Sequence, residues 1–153
     1  MPIILNDIDQ KAVKRIVEWS TMDDRPAIFI HSEGGCPSCA VAIHDLINMC
    51  DGSVHVVGSC FSSALFVLAG SSYRTCGPHA HFMAHDIQHT WAGTDRDLKG
   101  YAKYCRTFKA QLVDMMAKVT KLNERQWRSM LSGPEDYFNA DTALKIGLIQ
   151  GIT

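Results

Sequence analysis

Short apolar runs alternate with longer polar-and-apolar segments along the first half of the chain. Four of these runs have the length and composition of strands, and they cover residues 2–5, 27–30, 54–57 and 81–85. The run at residues 27–30 is wholly apolar, as expected for a parallel strand that is buried on both faces. Helical segments separate most of the runs, and this alternation predicts an α/β fold with a mostly parallel sheet and right-handed crossover helices.

The helices of the first half are predicted from apolar positions that recur every three or four residues. Asp9 caps the first helix, which ends near Ser20. The second covers residues 38–49, and the third covers residues 62–69 and ends at a glycine. The positions expected to face inward in the first two helices are Val13, Ile16, Val17, Val41, Ile43, Leu46 and Ile47. Between a strand and the second helix, Gly34-Gly35 is predicted to form a tight turn.

One long amphipathic helix dominates the second half and is predicted over residues 97–122. Its apolar positions are spaced 4, 4, 3, 4 and 3 residues apart, and they are Tyr104, Phe108, Leu112, Met115, Val119 and Leu122. The opposite face is rich in lysine and arginine, so the helix either packs on its own sheet with a solvated outer face or forms an arm against a partner. Shorter helices are predicted over residues 123–131 and 140–146, the latter capped by Asn139.

Composition excludes several classes of function. The chain has 153 residues, enough for one domain with a sizeable core. Its 15 basic and 16 acidic side chains nearly cancel, which argues against a nucleic acid or an anionic membrane as partner. No apolar run approaches the roughly 18 residues of a membrane span, and no signal-peptide pattern opens the chain. We therefore expect a cytoplasmic protein in which most of the six cysteines are buried thiols.

A serine and a histidine stand where two predicted strands end. Ser62 follows Gly58 by four residues and begins an apolar helical segment, beside the free N–H groups of the helix start. His85 ends the next apolar run and is the candidate base. With a carboxylate further along, these groups would make a hydrolase. The alternatives are that Ser62 only caps the helix, that Ser63 takes its place, and that His85 is a core histidine.

A zinc site is the other interpretation of the histidines near this position. His79, His81 and His89 lie close to His85 in the sequence. Zinc also requires thiolates or carboxylates at ligand spacing, and the sequence offers none there. We therefore expect no metal.

Four segments in order resemble the proteolytic subunit of the Clp protease, within the ClpP/crotonase group. They are residues 28–35 with the diglycine, residues 58–62 with a Gly-x-x-x-Ser pattern, residues 82–85, and residues 135–143 with 147–149. The resemblance extends from Ile3 to Ile152. It implies a ClpP/crotonase-like α/β fold in which residues 1–153 form one peptidase domain and residues 96–123 form a protruding handle helix.

The resemblance also implies a mechanism and assigns its residues. The chain would be a serine endopeptidase that cleaves unfolded proteins or peptides through an acyl-enzyme on Ser62, with His85 as base and no cofactor. An ungapped count from the last helix places Glu135 at the position of the acid, and a shift of one residue would place Asp136 there. The oxyanion hole would be formed by the backbone N–H groups of Gly35 and Ser63.

Assembly and partners follow from the same resemblance. The handle helix would join two rings into a double heptamer, and a AAA+ unfoldase is the expected partner. The chain starts almost at the first strand, without the family's N-terminal axial loops, which places that coupling in question. Cys60-Phe61 stands where the family has small residues, so we expect a reshaped substrate pocket. A divergent, compact chain of this kind also suggests a phage origin.

Two other functions compete with the peptidase interpretation. Cys36 and Cys39 form a Cys-x-x-Cys pair after a strand and at a helix start, the setting of a low-pKa redox thiol. A thiol-disulfide oxidoreductase is therefore one alternative, although the glycines before the pair are not typical of that class. The other alternative is a catalytically inactive ClpP-like subunit that only assembles.

Overall fold

Seven strands form one sheet in the computed structural model, which describes residues 3–22 and 24–153. The strands are β1 Ile3–Ile8, β2 Ile28–Gly35, β3 Ser53–Phe61, β4 Tyr73–Cys76, β5 His81–Ala84, β6 Asp136–Asn139 and β7 Gly151–Ile152. The helices are α1 Gln10–Ser20, α2 Pro37–Met49, α3 Ala64–Ala69, α4 Asp95–Val119, α5 Glu124–Met130 and α6 Ala140–Lys145.

The sheet order is β1-β2-β3-β4-β7, and all of these neighbours pair in parallel. A second branch leaves β3, which also pairs in parallel with β5, and β5 pairs antiparallel with β6. Strands from both ends of the chain therefore meet in one sheet. This topology confirms the predicted α/β fold with a mostly parallel sheet.

Strand β3 changes partner half-way along its length. Its first half pairs with β4 from Ser53 to Val56, and its second half pairs with β5 from Ser59 to Phe61. Gly58 lies between the two halves with φ of +92°, a conformation that side chains strongly disfavour. The switch brings the end of β3 beside the end of β5.

Helices α1 and α2 lie where the sequence predicts them, and their buried residues differ from the prediction mainly in α1. Asp9 caps α1 by accepting a hydrogen bond from the N–H of Ala12 at 2.8 Å. Ile16 is buried as expected, but Val17 is 45% exposed and Trp19 is buried in its place. In α2, Ile43 and Ile47 are buried and the other two expected positions are partly buried.

Three strands were absent from the sequence prediction, and several boundaries differ, since β2 and β3 extend beyond the predicted runs to Gly35 and Phe61. β4, β6 and β7 are short and lack an apolar run. The pair Gly34-Gly35 does not form a separate turn; it ends β2, with φ values of +108° and +145°. Helix α3 begins at Ala64, two residues later than predicted. The predicted first strand includes Pro2, which lies outside the described residues.

Helix α4 confirms the long helix but shifts its bounds and its buried face. It begins after the N-cap Thr94 and ends at Val119. Leu112 is buried as expected, together with Val113 and Met116, which the spacing placed off the apolar face. Tyr104 is 53% exposed. The second half of α4 therefore packs on the core of this chain, while most of the first half is exposed. None of the helices in the part of the chain described here is long and apolar enough to cross a membrane.

Candidate active site

Ser62 lies in the turn between β3 and α3, in a strained backbone conformation. Its φ is +54°, which costs a non-glycine residue on the order of 1–2 kcal/mol. The N–H of Ser62 donates to the carbonyl of Met83 at 2.8 Å, and the carbonyl of Ser62 accepts from Leu65 at 3.0 Å. The turn is thus fixed to β5 on one side and to α3 on the other. Ser62 precedes the N-cap of α3, which is Ser63.

His85 follows β5 directly, and its Nε2 lies 2.7 Å from the hydroxyl oxygen of Ser62. Parallel β3 and β5 end at the same edge of the sheet, with Phe61 paired to Met83. The residues just beyond these two strands are therefore neighbours. The distance is that of a good hydrogen bond, and it is the geometry in which an imidazole removes a proton from serine.

Ser63 is engaged differently from its neighbour. Its hydroxyl donates to the carbonyl of Gly35 at 2.8 Å, and the residue is 1% exposed. This hydroxyl faces β2 rather than the histidine. Of the two serines that the sequence left in competition, the structure thus brings only Ser62 to His85.

Gly34 and Gly35 allow β2 to approach the serine turn closely. A Cβ at Gly34 would lie 2.8 Å from the Cβ of Ser62 and 3.2 Å from the backbone nitrogen of Ser63. No side chain fits in that space, and a Cβ at Gly35 would collide with the carbonyl of Ile8. Gly34 is thus required by the close packing of β2 on the turn that carries Ser62, and Gly35 by the close packing of β2 on Ile8 of β1.

A pocket of about 150 Å³ opens beside Ser62 and His85. Its apolar wall consists of Pro37, Phe66, Ile87 and Leu131. Phe61, expected to reshape this pocket, is not among its lining residues; its ring contacts Tyr137 edge-on, with the centroids 5.7 Å apart. The space next to the serine hydroxyl therefore favours an apolar side chain.

The two candidate acids lie near His85 without touching it. Within residues 3–22 and 24–153, no carboxylate oxygen lies within 4.0 Å of a ring nitrogen of His85. Glu135 and Asp136 are both exposed, and Glu135 accepts a hydrogen bond from the hydroxyl of Tyr137 at 2.9 Å. Asp136 pairs with Ala84 in the antiparallel ladder of β6 and β5. Both carboxylates thus stand at the sheet edge that carries the serine and the histidine.

Comparison with known proteins identifies the family of this chain. The family model described as Clp protease matches residues 4–153. The chain belongs to the Clp protease family.

Three relatives in the Clp protease family illustrate the degree of similarity. The "ATP-dependent Clp protease proteolytic subunit 1" of Chlamydia felis is 30% identical over 134 residues. Proteins named subunit 2 are 30% identical over 130 residues in Chlamydia trachomatis and 31% identical over 134 residues in Chlamydia muridarum. Each alignment covers 82% of this chain and 63% of the relative. The chain therefore spans less than two thirds of the length of these Clp protease subunits.

The Cys-x-x-Cys pair stands next to the site of this Clp protease family member. Cys36 is the N-cap of α2, and its sulfur accepts from the N–H of Cys39 at 3.3 Å. Burial acts to raise the pKa of Cys36, but hydrogen bonds from Cys39 and Ser38 outweigh it and lower that pKa. Burial raises the pKa of Cys39 to about 11. All six thiols are free, and no observation favours redox function over the peptidase chemistry expected of the family.

The histidines near the site do not assemble a metal centre. Among the residues that the structure describes, no group of three or more histidine, cysteine, aspartate or glutamate side chains is arranged to hold a metal ion. His89 lies 3.4 Å from both the sulfur of Cys105 and the hydroxyl of Tyr101. It is therefore part of the α4 surface rather than of the site that contains His85.

The sequence analysis missed the residues that surround the catalytic candidates. Pro37, Phe66 and Leu131 reach the pocket from three helices or their ends. Tyr137 was noted only as part of a family segment. Phe66 and Leu131 are apolar residues of predicted helices, but which of the apolar positions line a pocket depends on how the helices pack.

Proposed function

We propose that the chain is a serine endopeptidase of the Clp type that cleaves peptide bonds in peptides or unfolded proteins. The observation that carries this proposal is the 2.7 Å contact between Ser62 and His85 at a strained turn. Backbone strain that persists at a polar residue is typical of functional sites. Membership of the Clp protease family supports the same reaction.

In the proposed reaction, Ser62 attacks the carbonyl carbon of the peptide bond while Nε2 of His85 takes the hydroxyl proton. Collapse of the tetrahedral intermediate breaks the C–N bond, and His85 returns its proton to the leaving amine. Water then attacks the acyl-enzyme while His85 again acts as base; the ester bond to Ser62 breaks, His85 returns the proton to the Ser62 oxygen, and the acid product leaves. We assign Glu135 as the acid that orients His85, with Asp136 as the alternative.

The oxyanion of the intermediate requires two hydrogen-bond donors. We propose the N–H groups of Gly35 and Ser63 for this role. The hydrogen bond from the Ser63 hydroxyl to the Gly35 carbonyl supports the assignment, because it joins the two segments that would supply these donors. Loss of one such donor typically lowers the rate about 10²–10³-fold.

We further propose that residues 1–153 act as one domain and assemble into a double heptamer through α4. Tyr104 and Leu98, both about half exposed, support an interface on the first half of this helix. A AAA+ unfoldase is the proposed partner, in line with the relatives named as ATP-dependent. The cytoplasmic location stays a prediction from the sequence.

A fluorophosphonate probe tests the central proposal, because it reacts with activated serines. The purified protein is labelled, the adduct is located by mass spectrometry, and peptidase activity is measured in parallel. We expect the adduct on Ser62, and Ser62→Ala should abolish labelling and lower kcat by about 10⁴-fold or more. Ser63→Ala is the matched control: it should still be labelled, because its hydroxyl bonds to Gly35 rather than to His85.

Two results would contradict the assignment. A folded wild-type protein that takes up no label would favour the inactive assembly subunit. Label that survives Ser62→Ala but disappears in Ser63→Ala would transfer the nucleophile to Ser63.

A further inference from the structure

We propose that Tyr137 is a positioning residue that holds the carboxylate of Glu135 away from His85, so that the catalytic acid engages only after Glu135 turns. The inference rests on the proposed serine peptidase function and adds a residue to it. It is carried by the strand register around the site and by one hydrogen bond.

The register of β5 and β6, extended by one residue beyond the ladder, places Glu135 opposite His85. In the antiparallel ladder between β5 and β6, Met83 pairs with Tyr137 and Ala84 pairs with Asp136. The ladder ends at this pair, and the same register extended by one residue would place His85 opposite Glu135. Directly opposed residues in antiparallel strands have Cβ atoms about 4.5–5.5 Å apart, a distance that a glutamate side chain spans easily.

The carboxylate of Glu135 is hydrogen-bonded to Tyr137 and not to His85. The hydroxyl of Tyr137 donates to Oε2 of Glu135 at 2.9 Å. Glu135 directly precedes β6 and lies two positions before Tyr137, a spacing at which residues of an extended chain project from the same face. Neither oxygen of Glu135 lies within 4.0 Å of His85, as shown above. The carboxylate that the register offers to His85 is thus bound to Tyr137 instead.

Tyr137 is itself fixed by the strand that carries the nucleophile. Its ring meets Phe61 edge-on at 5.7 Å with an interplanar angle of 89°, and Phe61 is the residue before Ser62. The hydrogen bond to Glu135, followed by partial desolvation and the charges of Glu135 and Glu33, raises the pKa of Tyr137 above its ordinary value of 10. The phenol therefore keeps its proton and donates throughout the working pH range.

Removal of the phenol hydroxyl should release Glu135 toward His85. Tyr137→Phe keeps the ring contact with Phe61 and deletes only the competing donor. Since a single exposed hydrogen bond shifts such an equilibrium modestly, we expect the rate of fluorophosphonate labelling of Ser62 and kcat/KM to rise about two- to fivefold. A carboxylate beside the imidazole also stabilises its charged form, so the acid limb of the kcat/KM profile should move to higher pH.

Tyr73→Phe is the matched control, because Tyr73 is equally exposed but lies on β4, away from the site. It should leave the labelling rate and the pH profile unchanged. The double variant Tyr137→Phe with Glu135→Gln should lose both the rate increase and the shift of the acid limb. If Tyr137 had a purely structural role, Tyr137→Phe would not shift the acid limb, whether or not Glu135 was also replaced by Gln.

A tyrosine titration tests the contact independently of catalysis. With ¹³C-labelled tyrosine, the resonance of Tyr137 should titrate above pH 10 in the wild type and at lower pH in Glu135→Gln. Unchanged titration, or a Tyr137→Phe variant labelled no faster than the wild type, would overturn the inference while Ser62 labelling still upheld the peptidase. A wild type that takes up no label would overturn the proposed function itself, and the inference with it.

Discussion

Arg74→Met is expected to lower folding stability strongly, because it removes a buried charge that is hydrogen-bonded to carbonyls at the ends of three helices. Arg74 lies in β4 and is 5% exposed. Its guanidinium donates to four backbone carbonyls, which belong to Ser71, Val119, Gly147 and Leu148. The first three lie at or just beyond the carboxyl ends of α3, α4 and α6, where the helix dipole is negative.

The size of the effect follows from these four bonds. Among the described residues, no carboxylate lies within 4.0 Å of the guanidinium, so the carbonyls alone balance its charge. Hydrogen bonds from a charged donor contribute about 1.5–3 kcal/mol each, or roughly 6–12 kcal/mol for four. Dehydration of the cation costs several kcal/mol, and a buried methionine restores about 1–2 kcal/mol. The net loss should be about 3 kcal/mol, equivalent to about 6–12 °C in Tm.

Urea unfolding followed by far-UV circular dichroism measures this loss. The midpoint should fall while the slope of free energy against urea stays the same, and protein concentration is held fixed because assembly adds to stability. Arg15→Met is the matched control: Arg15 is exposed and donates one bond, to the carbonyl of Ile4 at 2.9 Å, so we expect a change within about 0.5 kcal/mol. Arg74→Met unfolding at the same urea concentration as Arg15→Met would refute the reasoning.

Cys36 and the exposed half of α4 provide two further predictions. Because its pKa is lowered, Cys36 should react with iodoacetamide at lower pH than Cys50, a thiol of similar exposure. Cys39 should stay unmodified. Equal rates for Cys36 and Cys50, measured by mass spectrometry, would contradict this account. Tyr104→Glu should reduce the assembly to smaller species in mass photometry without unfolding it, whereas the neighbouring exposed Lys103→Glu should not. An assembly that survives Tyr104→Glu would exclude the first half of α4 as the interface.

The strands that the sequence predicted are those whose burial is achieved by apolar side chains alone. Ile28 and Ile30, and Val54 and Val56, are the buried residues of two of these strands, and all four are apolar. β4 is equally buried, but Arg74 and Thr75 achieve this through hydrogen bonds to other segments. Those partners are distant in the sequence, so no local pattern identifies them.

For the long helix, the sequence predicts the helical recurrence of apolar residues more reliably than it predicts which face of the helix is buried. The recurrence of apolar residues located α4, but Tyr104 stacks on Tyr101 and Phe108 along the helix surface. Val113 and Met116 are the residues that enter the core with Leu112. Which side of a helix is buried depends on where the sheet and α3 lie, and that information is tertiary.

At the site, the sequence predicted Ser62 and His85, whose positions are set by the backbone. It left open the acid, because the contact of the acid with His85 depends on a side-chain rotation. Ser62 and His85 meet because two parallel strands end together. Glu135 lies at the same edge, but its carboxylate accepts a hydrogen bond from Tyr137. A choice between hydrogen-bond partners of comparable strength has no signature in residue spacing.

The pairing of β3 with β5 sets the distance between Ser62 and His85. Because successive strand residues advance about 3.3 Å and face opposite sides, one residue added to or removed from β5 would move His85 out of reach of Ser62 and turn it away. The segment between His85 and α4 lies outside that ladder. Evolutionary changes of chain length in this protein should therefore accumulate after His85, while the segments from Ser59 to Ser62 and from His81 to His85 keep a constant number of residues.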